Sequence, residues 1–301
     1  MPMLEPTSRR SPRAAQPLSL AQGRLAGLAW GRLEAPVWLA LHGWLDNAAS
    51  FTRLAPRLAE ALNIRIVAID FRGHGHSQHA PAGSDYALWD YCHDVLDVLD
   101  EFKIEKASLL AHSMGAAVAC VLAAALPERI ARLTLIDGLG ALNTPADETA
   151  SQLRKGLIAY RRPLSRAPRY ADIESAVAAR VAGGVTALDS VTATPLVERN
   201  TQATADGQVQ MRTDTRLLKP SLVRFTPEQV LAQLACIEAP VLLIEGERGI
   251  LGKRKWAEQA RQAVRHLTRQ VVPGGHHLHL EPRDAASVAD RIAAHWNEAA
   301  R

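Results

Sequence analysis

The chain of 301 residues carries 35 Lys and Arg against 31 Asp and Glu, a net charge of +4 at pH 7, with 48% hydrophobic residues. That length buries a substantial core and fits one large domain with an insertion better than two independent ones. So slight a charge, spread over scattered arginines, supplies no basic patch for nucleic acid, and no apolar run is long enough to span a membrane. Three widely separated cysteines, Cys92, Cys120 and Cys236, lie in helix-like or apolar contexts, which predicts reduced thiols and a cytoplasmic location.

Residues 1–16 are rich in Pro, Ser and Arg without a hydrophobic stretch, so they read as a flexible tail and not as a secretory signal. Pro17 to Trp30, with Gly23 and Gly27, predicts two antiparallel strands joined by a tight turn. Val37 to Leu41 is a short apolar run ending at His42-Gly43, the pattern of a fully buried strand. Leu54, Leu58 and Leu62 sit at helical spacing in the segment from Phe51 to Leu62. Ile64 to Ile69 reads as a second buried strand, closed by Asp70 and the turn Arg72 to Ser77, in which His74 and His76 are structural. Leu88 to Phe102 has an amphipathic helical pattern. A strand ending at His112, a helix to Leu126 and a strand from Leu133 to Ile136 follow, the last stopping at Asp137.

From about Gly138 to Ala235 the alternation stops. This stretch shows helical segments and polar joints without clear strands, and Thr226-Pro227-Glu228-Gln229 reads as a capping box. Strands resume at Val241 to Ile244 and Arg269 to Val272, and a last helix from Pro282 to Trp296 closes the chain. Strand–helix alternation of this kind calls for an α/β fold, with a mostly parallel central sheet and helices on both faces. The expected division is a core of residues 17–137 and 236–301, and a helical insertion of residues 138–235 over the carboxyl edge of the sheet, where ligands bind in such folds.

The chemistry centres on His112-Ser113-Met114-Gly115, between an apolar strand and a helix of small residues. A serine at such a junction is a nucleophile elbow, and its strained turn needs small neighbours, here Ala111 and Gly115. A serine hydroxyl attacks only when a base takes its proton and a third group orients that base. Among 11 histidines, those in Gly274-Gly275-His276-His277-Leu278-His279 follow the last strand and share its edge with Ser113. His276, directly after Gly275, is the expected base, with His277 the fallback and His279 a structural hydrogen-bonder. An oxyanion hole needs two N–H groups aimed at the developing charge. Met114, next after the nucleophile, and Trp44, after His42-Gly43, are the expected donors. A metal at His276, His277 and His279 lacks a nearby cysteine or paired carboxylate to complete it, so no metal and no cofactor is expected.

Taken in order, Leu41-His42-Gly43-Trp44, Asp70 to Ser77, His112-Ser113-Met114-Gly115 and Gly275-His276 resemble the α/β-hydrolase superfamily. Within it they are similar to the capped serine hydrolase-like group, related to the haloalkane dehalogenases and epoxide hydrolases. Those two relatives use a carboxylate nucleophile, and this chain has Ser113. The resemblance covers roughly residues 17 to 300, weakest in the insertion, and implies a helical cap domain and an ester-type mechanism. It also implies a triad acid a few residues beyond the strand at Val241 to Ile244. There the chain reads Glu245-Gly246-Glu247-Arg248-Gly249, with glycine where the aspartate is expected. The dehalogenase-like branch offers a second place, at the end of the strand after the nucleophile helix, and this is Asp137. Asp137 is therefore the expected acid, with Glu247 and then Glu245 as substitutes.

The leading expectation is a serine esterase or thioesterase, a hydrolase working through an acyl-enzyme on a small or medium-sized substrate. The alternatives are a cofactor-free lyase, a C–C bond hydrolase or an acyltransferase on the same scaffold, or a binding protein that has lost catalysis. Trp44, Trp89 and Trp256 are candidates to line an apolar pocket or to fill core. The partner expected is a small-molecule ester or thioester, and no pattern in the chain indicates its oligomeric state.

Overall fold

The computed structural model describes residues 14–184, 186–253 and 256–299; most of the tail expected at residues 1–16 lies outside them. Two strands, β1 (Gln16–Leu20) and β2 (Leu25–Trp30), pair antiparallel around a turn in which Gly23 takes a φ of 81°. There follow β3 (Val37–Leu41), α1 (Ala55–Ala61), β4 (Arg65–Asp70), α2 (Asp90–Glu101), β5 (Ala107–His112), α3 (Met114–Ala125) and β6 (Ile130–Ile136). The expected helix from Phe51 is shorter than its leucine spacing predicts. A 3-10 turn at Ala48–Phe51 precedes α1, and Pro56 enters at the helix start, where its missing N–H costs nothing.

Between β6 and the next strand of the main sheet lie α4 (Thr149–Arg161), β7 (Arg169–Tyr170), α5 (Ile173–Gly183), α6 (Ser190–Arg199), β8 (Thr201–Ala203), β9 (Val209–Met211) and α7 (Pro227–Ala235). This corrects the reading of the segment as strandless: β7, β9 and β8 form a small three-stranded antiparallel sheet. Strands of two or three residues are too short for any alternation to register. The capping box at Thr226 is present in full, its hydroxyl accepting from Gln229 N–H and the Gln229 side chain accepting from Thr226 N–H. The chain ends with β10 (Val241–Gly246), α8 (Ala257–Ala263), β11 (Leu267–Val272) and α9 (Ala285–Glu298).

The main sheet runs β1-β2-β4-β3-β5-β6-β10-β11, parallel from β4 onward. Its central strands are buried on both faces, and successive residues serve opposite layers. In β3, Leu39 and Leu41 join the layer packed under α2 and α3, while Trp38 and Ala40 join the layer of α1 and α9. The same division separates Leu109 and Ala111 from Leu110 in β5, and Leu243 from Ile244 in β10. On the α9 side Trp296 meets Trp38 edge-on and donates its indole N–H to Thr134 Oγ1 at 2.8 Å. Strand order reverses at β3, with β4 on one side and β5 on the other. The turns after β3 and β5 thus flank one crevice at the carboxyl edge, the position where open α/β sheets hold ligands.

Candidate active site

β5 stops at the buried His112, and Ser113 takes φ 52° and ψ −112° before α3 begins at Met114. A non-glycine residue there stores about 1–3 kcal/mol of strain, which the surrounding packing must hold. The packing leaves no slack: a β-carbon on Gly115 would collide with the carbonyl of Leu41, and one on Gly138 would lie 2.8 Å from the carbonyl of Ser113. Ser113 N–H donates to Ile136 O at 3.2 Å, tying the turn to the end of β6. Ser113 remains partly exposed.

His276 leaves the end of β11 on a loop in which Gly274 takes a φ of 128° and Gly275 N–H donates to the Glu281 carboxylate at 3.1 Å. The ring donates from Nδ1 to Asp137 Oδ2 at 2.6 Å and accepts the Ser113 hydroxyl at Nε2, 3.0 Å away. Burial holds its pKa below the ordinary 6.5, against the opposing pull of Asp137. The ring is therefore neutral at pH 7 and free to take a proton.

Asp137 follows β6 with φ 41°, and its N–H donates to Ile244 O at 2.8 Å. Oδ2 also accepts from Ile250 N–H at 2.8 Å. The other two acids weighed from sequence lie elsewhere. Glu245 is buried in ion pairs with Arg261 and Arg269, and Glu247 is exposed. The structure thus brings Ser113, His276 and Asp137 into one hydrogen-bonded line and leaves both glutamates out of it.

The turn after β3 backs Ser113. His42 donates from Nδ1 to Gly43 O at 2.7 Å and accepts Phe71 N–H at Nε2, so its buried ring locks the turn to β4. A β-carbon on Gly43 would lie 3.2 Å from Ser113 Cβ. Trp44 is 40% exposed and donates its indole N–H to Leu217 O at 3.1 Å, reaching into the segment between β6 and β10. Met114 N–H is the first of α3, at the positive end of the helix. Trp89 packs edge-on against Phe225, and Trp256 is half-buried against the α2–α3 layer. His74 is buried, its Nδ1 bonded to Arg72 O, and His76 contributes its main-chain N–H to Asp70.

Behind Ser113, His276 and Asp137 lies a second group of buried polar side chains, of which sequence reasoning anticipated only His279, as a structural hydrogen-bonder. Asp46 accepts the Nε2–H of His277 at 2.9 Å and lies 3.5 Å from Arg180 of α5. His112 donates Nε2–H to the main-chain carbonyl of His276 at 2.9 Å, and burial among three other histidine rings keeps it neutral. His279 pairs with Ser50 Oγ at 2.7 Å. Burial opposes ionisation of Asp46, but His277 and Arg180 hold its carboxyl well below the usual range. Only the run Trp44-Leu45-Asp46 and the crowding of histidines at 276–279 signalled this group in the sequence.

The model of the family described as the alpha/beta hydrolase fold matches residues 36–282. The chain belongs to the α/β-hydrolase family. A serine hydrolase-like protein of Dictyostelium discoideum is 34% identical over 280 residues, covering 87% of this chain and 76% of its own. The human serine hydrolase-like protein 2 is 29% identical over 293 residues, covering 90% and 91%. Among solved structures, a hypothetical protein of Pseudomonas aeruginosa superposes with a TM-score of 0.86 at 42% identity, over 94% of this chain and 99% of that one. The thioesterase domain from the curacin biosynthetic pathway superposes with a TM-score of 0.78 at 26% identity, over 93% and 98%. The chain is a hydrolase of the serine hydrolase-like group, and among the described residues no helix is long and apolar enough to cross a membrane.

Proposed function

We propose that this α/β hydrolase cleaves a carboxylic ester or thioester of a small or medium-sized substrate through an acyl-enzyme on Ser113. The observation that carries the reading is the line from Ser113 Oγ through both ring nitrogens of His276 to Asp137, with spacings of 3.0 and 2.6 Å. As the serine oxygen attacks the acyl carbon, its proton passes to His276 Nε2. The Asp137 carboxylate keeps the other hydrogen on Nδ1 and stabilises the imidazolium that forms. The tetrahedral oxyanion is received by the N–H of Met114 at the start of α3 and the N–H of Trp44 beside it. His276 then protonates the leaving alcohol or thiol. A water that gives its proton to the same nitrogen attacks the acyl-enzyme and releases the acid, with no cofactor required.

Residues 138–235 are proposed as a cap over this crevice, on a core of residues 17–137 and 236–301. In support, Arg199 of α6 binds Asp70 through two nitrogens, Arg180 approaches Asp46, and Leu217 accepts from the Trp44 indole. The thioester option draws support from the curacin thioesterase domain.

A fluorophosphonate probe is expected to label the intact protein and to leave Ser113→Ala unlabelled, and a panel of p-nitrophenyl esters and acyl thioesters is expected to find turnover. Labelling without turnover of any ester or thioester would overturn the substrate class. Absence of labelling would overturn the nucleophile.

A further inference from the structure

The group behind the triad contains an arrangement that the hydrolytic mechanism does not use. His112 Nε2 faces the carbonyl of His276 at 2.9 Å. A carbonyl only accepts, so Nε2 carries the hydrogen, and Nδ1 of the neutral ring is a bare lone pair. That lone pair is buried without a hydrogen-bond partner. It lies 3.7 Å from Asp46 Oδ2, itself an acceptor. Two acceptors buried face to face are costly unless something positive sits between them. His277 Nε2 meets the same carboxylate oxygen at 2.9 Å. All three donor atoms lie within 4.8 Å of one another, and Asp46, His112 and His277 are each at most 2% exposed. Space beside the lone pair is kept by Gly43, where a β-carbon would lie 2.9 Å from His112 Nδ1.

We propose that Asp46 Oδ2, His112 Nδ1 and His277 Nε2 form a binding site for one divalent transition-metal ion of the zinc or cobalt kind. Two imidazole nitrogens and a carboxylate oxygen are ligands that such ions favour, and bond lengths near 2.0–2.1 Å place neighbouring ligand atoms roughly 3.4 Å apart, between the two spacings seen here. Each histidine also has its outer nitrogen placed as metal-bound histidines require. His112 already donates Nε2–H to a carbonyl. Bound through Nε2, His277 carries its hydrogen on Nδ1, where the hydroxyl of Thr186 lies at 3.5 Å to accept it. Arg180 stands at the other carboxylate oxygen, Oδ1, at 3.5 Å, so Oδ2 remains for the ion. Its guanidinium opposes a second positive charge, which sets the affinity below that of a site without it.

Stripping the full chain of metal with a chelator and titrating it with Co²⁺ tests the assignment. One equivalent is expected to bind, with visible absorption bands of a low-coordinate nitrogen–oxygen site, and Zn²⁺ is expected to displace it. Asp46→Ala and His277→Gln should each weaken binding by at least about tenfold, His276→Ala should leave it intact, and Arg180→Gln should tighten it by about threefold or more. Failure of the wild type to saturate with either ion overturns the site. So does binding that survives Asp46→Ala, or that is lost in His276→Ala, which would put the ion on the triad. Where the Asp46 or His277 variant does not fold, zinc-edge absorption spectroscopy on the loaded wild type decides. Two imidazoles with a carboxylate support the site, and any other ligand set refutes it.

Discussion

Asp137 and Gly249 claim the same volume beside His276. A β-carbon on Gly249 would overlap the carboxylate of Asp137, coming within 2.5 Å of its Cγ. The end of β10, where the resemblance leads one to expect the acid, is thus bare because a carboxylate from the end of β6 already fills the place a side chain there would take. Asp137 holds a φ of 41°, which glycine adopts without strain. Gly249→Asp alone is expected to displace Asp137 and to lose at least about tenfold in kcat/KM, since small misplacements of catalytic groups are costly. Gly249→Asp combined with Asp137→Gly puts a carboxylate back in that space and is expected to exceed Asp137→Gly alone. Esterase kinetics of the three variants check this, and a double variant no better than Asp137→Gly contradicts it.

Removing the charge without the shape asks what Asp137 contributes. Asp137→Asn is expected to lower kcat by about 10⁴-fold while the fold is kept, because the amide favours the wrong ring tautomer. Glu247→Gln, on an exposed side chain, should stay within about twofold of the parent. Steady-state rates with far-UV circular dichroism on both variants provide the comparison, and a larger loss at Glu247 would reassign the acid.

The pH profile follows from the direction of the His276 shift. Its folded pKa lies below 6.5, burial outweighing the hydrogen bond it donates to Asp137. The base is therefore present at neutral pH and is lost only as pH falls through that depressed value. The acid limb of kcat/KM should have its midpoint below pH 6.5, and a midpoint at or above it would show that Asp137 dominates over burial.

Stability should respond to pH at a different residue. His74 is buried with its pKa lowered to about 3, burial first and the neighbouring His42 second. The unfolded chain takes up a proton near pH 6.5 that the folded chain refuses, so stability falls as pH drops through 6.5 and continues to fall towards 3. At pH 5 that difference is about 2 kcal/mol for this ring. Urea unfolding of His74→Phe at pH 7 and pH 5 should show a loss smaller than the parent's by that amount.

The link between α6 and the core is also testable. Asp70 is fully buried, with Arg199 donating to it from Nε at 3.0 Å and Nη2 at 2.8 Å. Arg199→Leu leaves a buried carboxylate with only the main-chain N–H groups of Ala48 and His76. A loss of about 3 kcal/mol is expected in chemical denaturation. Retention of full stability would mean that the pair contributes no net stabilisation.

Local chemistry made much of this molecule legible in its sequence. A strand must be apolar on both faces to sit inside a parallel sheet, so β3 and β10 announced themselves as apolar runs, and β4 and β5 as runs broken only by Arg65 and Ser108 near their starts. The bend at Ser113 tolerates only small neighbours, and that requirement is written in adjacent residues. The strands at 169–170, 201–203 and 209–211 escaped notice because two or three residues carry no period, and the first of them finds its partner far along the chain, at 209–210. The sequence ranked Asp137 ahead of Glu247 and Glu245 as the acid, and tertiary structure decided among the three by bringing Asp137 alone to His276. Residues 113, 137, 245, 247 and 276 are brought near one sheet edge by topology, and their order in the chain does not say which side chain finds room. It also decided that His112, Asp46 and His277 come together, because three positions so far apart in sequence become neighbours only when the segments after β3, β5 and β11 meet at the carboxyl edge of the sheet.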